Sequence, residues 1–282
     1  MSNCNAVKSQ ILALLGNQQM RLTPSALERE LCRDKSQFSK KVIRSIIKEM
    51  VAEGSLQYTN HFSTTHLELN YNRPTQVSER IILSPHICSS QNYNPEALLI
   101  VMDQGGAFGL GDHPTTRLSL RGVDIVMKDA LKRGSLDGFQ ALDIGTGSGV
   151  LAMAAVGLGA AGAMGIDIDS AALHEAGRNI ELNGMESKIM LTSDSLESLG
   201  DYRFSLITAN LRPPTIQRML PLIDRLSTSE AYWVISGCRE DALENVIAML
   251  PLKKIKIIWK ETSCGWAALA VKAKCRAIEA LN

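Results

Sequence analysis

The 282-residue sequence predicts a doubly wound, mostly parallel α/β sheet preceded by a small separate N-terminal unit. Three observations carry that prediction. From Glu96 onward, short apolar runs alternate with helix-length segments. A glycine-dense turn, Gly145-Thr146-Gly147-Ser148-Gly149, joins the run Phe139–Ile144 to the apolar stretch Val150–Leu158. Asp167 then stands 22 residues after Gly145, at the end of the next apolar run.

Composition sets the outer limits. The chain is 45% hydrophobic and 21% charged, with a formal net charge of +1, so no global field points to nucleic acid or anionic lipid. Up to Arg80 there are 11 Lys and Arg against 7 Asp and Glu, a small basic excess centred between Arg21 and Lys48. Six cysteines are scattered without a CxxC pair, which favours free thiols in a reducing cytoplasm over a disulfide frame or a zinc site. No basic-then-apolar leader opens the chain. Gly145–Ile166 is 22 residues without a charge, but seven are glycine and aspartates flank it, so it reads as strand, helix and strand rather than a membrane span.

Residues 1–72 read as one small domain. Ala6–Leu15 is an apolar helix stopped by Gly16. Thr23-Pro24 is a helix start, cap followed by first helical residue, for a helix reaching about Cys32. Ser39 caps a third helix, Lys40–Glu53, with Val42, Ile43, Ile46, Ile47 and Met50 on one face. Two polar strands, Ser55–Thr59 and Thr64–Asn70, follow around a turn at Asn60–Ser63. Three helices and a hairpin resemble a winged helix-turn-helix. In members that bind DNA the third helix enters the major groove, and here it carries Lys40, Lys41, Arg44 and Lys48. The same arrangement serves as a dimerisation or protein-docking module, and a solvated basic face is the plainer reading.

Residues 73–95 read as a linker with one or two leading strands, and 96–282 as the α/β domain. Its strands are expected at Leu98–Met102, Gln140–Ile144, Ala163–Ile168, Ile189–Thr192, Ser205–Ala209, Tyr232–Ser236, Ile255–Trp259 and Trp266–Val271.

The glycine turn lets backbone N–H groups approach a ligand at a helix N-terminus. Its phasing is DxGxGxG, not the GxGxxG of pyrophosphate binders, and it opens on an acid, Asp143, which repels phosphate and suits a sulfonium or amino group. Asp167 offers two acceptor oxygens to vicinal ribose hydroxyls. This pattern resembles the first motifs of class I S-adenosylmethionine-dependent methyltransferases, which have a Rossmann-like sheet. The resemblance implies that Asp143, Gly145 and Gly147 lie against the methionine part of the cofactor and that Asp167 holds its ribose. Asp194, in Ser193-Asp194-Ser195, then contacts the adenine; the alternative is a helix cap before Leu196.

A second glycine-dense stretch, Gly105–Thr116 (GGAFGLGDHPTT), precedes the first by about thirty residues. Together with DIGTGSGVLAMAA, GIDID, a strand ending in Ala209-Asn210 and a late Gly265-Trp266, it resembles the PrmA-type ribosomal-protein methyltransferases over about Gly105–Lys272. Those enzymes modify lysines and the N-terminal amine of a ribosomal protein. The resemblance implies S-adenosyl-L-methionine as cofactor, contacts at Thr116, Gly145, Asp167 and Asn210, Phe108 beside the methyl end, and Thr115 offering a hydroxyl at a helix start set by Pro114. Asn210 would accept a hydrogen bond from the acceptor amine. No metal is implied, and His113, extended before a proline, reads as structural rather than as a base.

Three departures keep the substrate open. Leu110 stands where the family has threonine, and Asn210-Leu211-Arg212-Pro213-Pro214 replaces an alanine-containing tail without supplying an aromatic to stack a flipped base. The family's usual N-terminal domain is a small α/β sandwich, unlike the pattern in residues 1–72. The leading expectation is a cytoplasmic protein N-methyltransferase, with a ribosomal protein among the candidate substrates and no membrane partner. The alternatives are a small-molecule methyltransferase with a homodimerising winged helix, and a nucleic-acid methyltransferase or DNA-binding regulator.

Overall fold

The computed structural model describes residues 2–16, 22–33, 38–61, 64–70, 74–85, 96–103, 108–109, 111, 113–251 and 255–273. The chain divides into two compact units, Met1–Arg73 and Pro74–Asn282. Leu110, residues 86–95 of the expected linker and the tip of the expected hairpin turn lie outside the described residues.

The first unit runs α1 (Ser2–Gly16), α2 (Pro24–Arg33), α3 (Lys40–Ala52) and an antiparallel hairpin of β1 (Leu56–His61) and β2 (Thr64–Leu69). Local signals start the helices. The Thr23 hydroxyl accepts the Ala26 N–H at 3.2 Å and the Ser39 hydroxyl accepts the Val42 N–H at 3.4 Å. Ile43, Ile46, Ile47 and Met50 form the buried stripe of α3 against Val7, Ile11, Leu27 and Leu67. Val42 is exposed instead, because it sits a quarter turn off that stripe. Arg44 on the basic face of α3 makes a two-pronged pair with Glu28 at 2.7 and 3.0 Å, and Lys8 of α1 bridges Glu49 and Glu53.

The second unit opens with a three-stranded sheet, β3 (Thr75–Gln76), β4 (Ile81–Pro85) and β5 (Leu98–Met102), with β4 and β5 parallel. The α/β alternation then follows: α4 (Pro114–Lys132), β6 (Gln140–Ile144), α5 (Val150–Gly157), β7 (Gly162–Ile166), α6 (Ser170–Leu182), β8 (Ile189–Thr192), β9 (Phe204–Asn210), α7 (Pro213–Leu226), β10 (Ser227–Arg239), α8 (Leu243–Met249), β11 (Ile255–Ser263) and β12 (Trp266–Ala273). A seven-stranded sheet runs in the order β11-β12-β10-β9-β6-β7-β8. The five strands from β10 to β8 are parallel, and β12 is antiparallel to both neighbours.

Both sheet faces are covered, as a doubly wound sheet requires. Ala141, Leu206, Tyr232 and Val234 point to the side of α4 and α5, and their sequence neighbours Leu142, Ile207, Trp233 and Ile235 point to the side of α7 and α8. Leu98–Met102 was expected in this sheet and stands outside it. The inner strand β7 is buried along its whole length, whereas β5 alternates and leaves Leu99 exposed. One edge of β5 pairs with β4. Its other edge meets carboxamides of α6 and its C-cap: Asn183 both accepts from the Val101 N–H (2.9 Å) and donates to the Val101 carbonyl (2.7 Å), and Asn179 accepts from the Asp103 N–H (2.8 Å).

Candidate active site

The parallel strands β6, β7 and β9 end at Ile144, Ile166 and Asn210, so the residues that follow them gather at one edge of the sheet. Because β12 is antiparallel, its first residue, Trp266, pairs with Arg239 at the end of β10 and joins the same edge.

The turn after β6 takes its shape from left-handed glycines. At Gly147 (φ +55°) an added Cβ would lie 2.4 Å from the carbonyl oxygen of Phe108, a backbone atom that cannot swing away. The Ser148 N–H donates to that same oxygen at 2.9 Å. Thus the two glycine-dense stretches are not separate sites. The segment around Phe108 and Gly109 lies directly on the turn Gly145–Gly149. Asn179, fully buried on α6, fastens the assembly by donating to the Ser148 carbonyl at 3.0 Å while holding the Asp103 N–H that leads into the first stretch.

Asp167 follows β7. Its carboxylate accepts the Gly147 N–H at 2.9 Å and the Asp169 N–H at 3.0 Å. This turn of the chain is why the strand stops at Ile166 and not at Ile168 as expected. Each carboxylate oxygen keeps a lone pair for a further donor. Ile168, beside it, is 95% exposed, an apolar side chain with no packing role in the fold. Sequence reading passed over it, although an isoleucine directly after the acid was the available signal.

Asp143 lies deep behind the turn. It is 1% exposed, and its two oxygens accept the hydroxyls of Thr208 (2.6 Å) and Thr146 (2.7 Å). Burial pushes its pKa up to about 6, helped by the nearby Asp167 carboxylate and opposed by the two hydroxyls. Its carboxylate therefore braces the turn from behind, tying Thr146 to the strand that carries Asn210. Thr208 and Thr146 were missed in the sequence because a hydroxyl in a strand or turn carries no motif.

Pro114 opens α4 as expected, with His113 extended before it (φ −80°, ψ 137°). His113 Nδ1 accepts the Thr115 N–H at 3.2 Å and lies 2.7 Å from the Thr115 hydroxyl. A backbone N–H can only donate, so a neutral His113 carries its proton on Nε2 and has Nδ1 engaged. Thr115 is thereby committed to the cap. Thr116 is buried too, and its hydroxyl has no hydrogen-bond partner; the same holds for Ser148. Two buried, orphaned hydroxyls, one at the start of α4 and one in the glycine turn, are what a polar ligand would satisfy.

The Phe108 ring, half-exposed, lies 5.1 Å from the His113 ring, and His113 lies 4.8 Å edge-on from Trp266. Arg239 lies over the Trp266 ring, 5.0 Å from its centroid. Asn210 is half-buried at the end of β9, paired in register with Ser236 of β10. Asp194 is exposed after β8, and its own N–H bonds the Thr192 hydroxyl at 3.1 Å. It is not the cap considered for it: the short helix Leu196–Leu199 is preceded by Ser195 in the cap position. Among the described residues no cluster of His, Cys, Asp and Glu could hold a metal ion, and no helix is long and apolar enough to cross a membrane.

Comparison with known proteins matches this arrangement to one family. The family described as ribosomal protein L11 methyltransferase (PrmA) matches residues 31–274, reaching further toward the N-terminus than the motifs from Gly105 onward. The ribosomal protein L11 methyltransferase of Brevibacillus brevis is 30% identical over 209 residues, covering 74% of this chain and 64% of the relative. That of Parasynechococcus marenigrum is 36% identical over 186 residues, covering 63% and 62%. The chain thus spans less than two thirds of the length of these relatives. The crystal structure of ribosomal protein L11 methylase from Lactobacillus delbrueckii subsp. bulgaricus is 28% identical, covers 72% of this chain and 99% of its own, and superposes with a TM-score of 0.62.

Proposed function

The chain belongs to the ribosomal protein L11 methyltransferase (PrmA) family, and from that premise we propose that it is an S-adenosylmethionine-dependent methyltransferase acting on a protein amine, with ribosomal protein L11 as the acceptor to which the relatives' names point. The observation that carries the reading is the main-chain contact between Phe108 and Ser148, which folds one glycine-dense stretch over the other beside Asp167 and Asn210.

The residues present fit the cofactor. Asp167 has acceptor capacity left for ribose hydroxyls, Ile168 and Asp194 offer an apolar face and a polar edge for adenine, and Gly145 and Gly147 keep side chains out of the turn. Thr116 and Ser148 bring hydroxyls that need partners. Bound there, S-adenosylmethionine supplies a methyl group already activated on a sulfonium.

What remains for the protein is to position the acceptor and exclude water. The Asn210 side-chain carbonyl is suited to accept one N–H of a neutral amine and so aim its lone pair. Phe108, His113 and Trp266 form an aromatic wall that keeps the approach dry. With Nδ1 held by Thr115, His113 is not the base, so the acceptor ammonium loses its proton to solvent before attack. The PrmA membership favours a protein acceptor over the small-molecule and nucleic-acid alternatives, and the N-terminal unit, with its three helices and hairpin, is the part proposed to choose the partner.

Calorimetry with S-adenosylmethionine and S-adenosylhomocysteine tests the cofactor: binding is expected, weakened in Asp167→Ala, and no heat from the intact protein would refute it. Mass spectrometry of purified ribosomal protein L11 after incubation with enzyme and S-adenosylmethionine tests the acceptor; an unchanged mass would remove L11.

A further inference from the structure

Arg239 closes β10 at the same sheet edge as Asn210, opposite Trp266 in register. Its guanidinium lies over the Trp266 ring at 5.0 Å and next to the backbone of Gly265, where an added Cβ would come within 3.3 Å of a guanidinium nitrogen. Gly265 has φ +73°, so the turn that seats Arg239 is one a side chain would crowd.

Stacking engages the flat face of a guanidinium and leaves its N–H donors pointing outward in the plane. Among the described residues no carboxylate takes them. Acids close by are committed elsewhere: Glu240 accepts the Thr262 hydroxyl and Glu261 pairs with Arg121. Other arginines of this unit with comparable burial do have such partners; Arg80 is matched with Asp124 at 2.6 Å and Arg121 with Glu261. A half-buried guanidinium resting over an aromatic ring, with no carboxylate partner among the described residues, is suited to a planar two-oxygen anion.

The position gives that anion a meaning. Trp266 is shared: His113 and Phe108 continue from it toward the glycine turn, and Arg239 lies on it. We propose that Arg239 and Trp266 form an anion subsite beside the methyl-acceptor pocket, which reads a carboxylate of the acceptor polypeptide, an acidic side chain neighbouring the amine to be methylated. The inference rests on the methyltransferase reading and narrows its substrate: the favoured acceptor is a lysine next to Asp or Glu.

The test uses the full chain saturated with S-adenosylhomocysteine and follows the Trp266 indole N–H signal by NMR, assigned with Trp266→Phe. Three probes are titrated: acetyl-Gly-Lys-Glu-Gly amide, its Gln counterpart, and free L-lysine. The Glu peptide is expected to shift the signal saturably, with affinity about tenfold above the Gln peptide, a difference that disappears in Arg239→Gln. Equal binding of the two peptides, no saturable shift with either, or an unaltered Glu preference in Arg239→Gln would overturn the subsite. Tighter binding of free lysine than of the Glu peptide would overturn the polypeptide source of the carboxylate. S-adenosylhomocysteine affinity, measured in the same samples, separates the two levels: its loss strikes the methyltransferase reading, and its retention without peptide discrimination strikes only Arg239.

Discussion

The Ser148 N–H and the Phe108 carbonyl oxygen meet at 2.9 Å, main chain to main chain, with Gly147 packed against the same oxygen. No side chain at residue 108 or 148 can substitute for that contact, and only an absent one at residue 147 permits it.

Gly147→Ala places a methyl group 2.4 Å from the oxygen in a left-handed conformation. The strain is about 1–3 kcal/mol, on top of the displaced loop. Calorimetry should show S-adenosylhomocysteine binding weakened by about tenfold or more, while Gly184→Ala, at a left-handed glycine with open space around it, leaves binding unchanged.

Thr116→Val keeps the shape of the side chain and removes a buried hydroxyl that has no partner. Thermal unfolding should show equal or higher stability, by up to about 1 kcal/mol. Cofactor affinity should fall about three- to tenfold if the proposed cofactor takes that hydroxyl. A destabilised variant with normal affinity would assign Thr116 to the fold alone.

Ile168 is 95% exposed, so Ile168→Ser should alter the unfolding free energy by less than about 0.5 kcal/mol. If adenine covers it, product affinity drops about tenfold. Equal affinities would take Ile168 out of the site.

Asp143 has a folded-state pKa of about 6 against an ordinary 3.8. The folded protein therefore binds the proton more tightly than the unfolded chain. The stabilisation from that proton is complete below the unfolded value and is lost as pH rises through about 6. Comparing denaturant unfolding of the wild type with Asp143→Asn isolates this group. The difference in stability should shift in the wild type's favour by about 2 kcal/mol on going from about pH 7.5 to about pH 4. A difference independent of pH would mean that Asp143 titrates normally.

What could be read in the sequence was local. The strand–turn–helix at Gln140–Gly157 and the acid after β7 depend on neighbours a few residues away, and so does the start of α4 at Pro114. What could not be read depends on partners far along the chain. Nothing in DIGTGSG shows that Thr208, 65 residues later, donates to an oxygen of Asp143. Trp266 was legible as part of a motif, but its contacts with His113 and Arg239 arise only when β12 runs antiparallel to β10. Leu98–Met102 has the composition of a sheet strand; which sheet it joins is decided by β4 and by Asn179 of α6 and Asn183 at its C-cap.

Those asparagines have a second consequence. A strand at the rim of a sheet offers unpaired N–H and carbonyl groups on which another chain can add itself. Asn179 and Asn183, one helical turn apart, match the spacing of Asp103 and Val101 along β5 and fill those groups with carboxamides. The β5 edge of the small sheet is thus covered by these carboxamides against strand addition. The seal uses the same Asn179 whose other end holds the Ser148 carbonyl, so exposing this edge would also loosen the glycine turn.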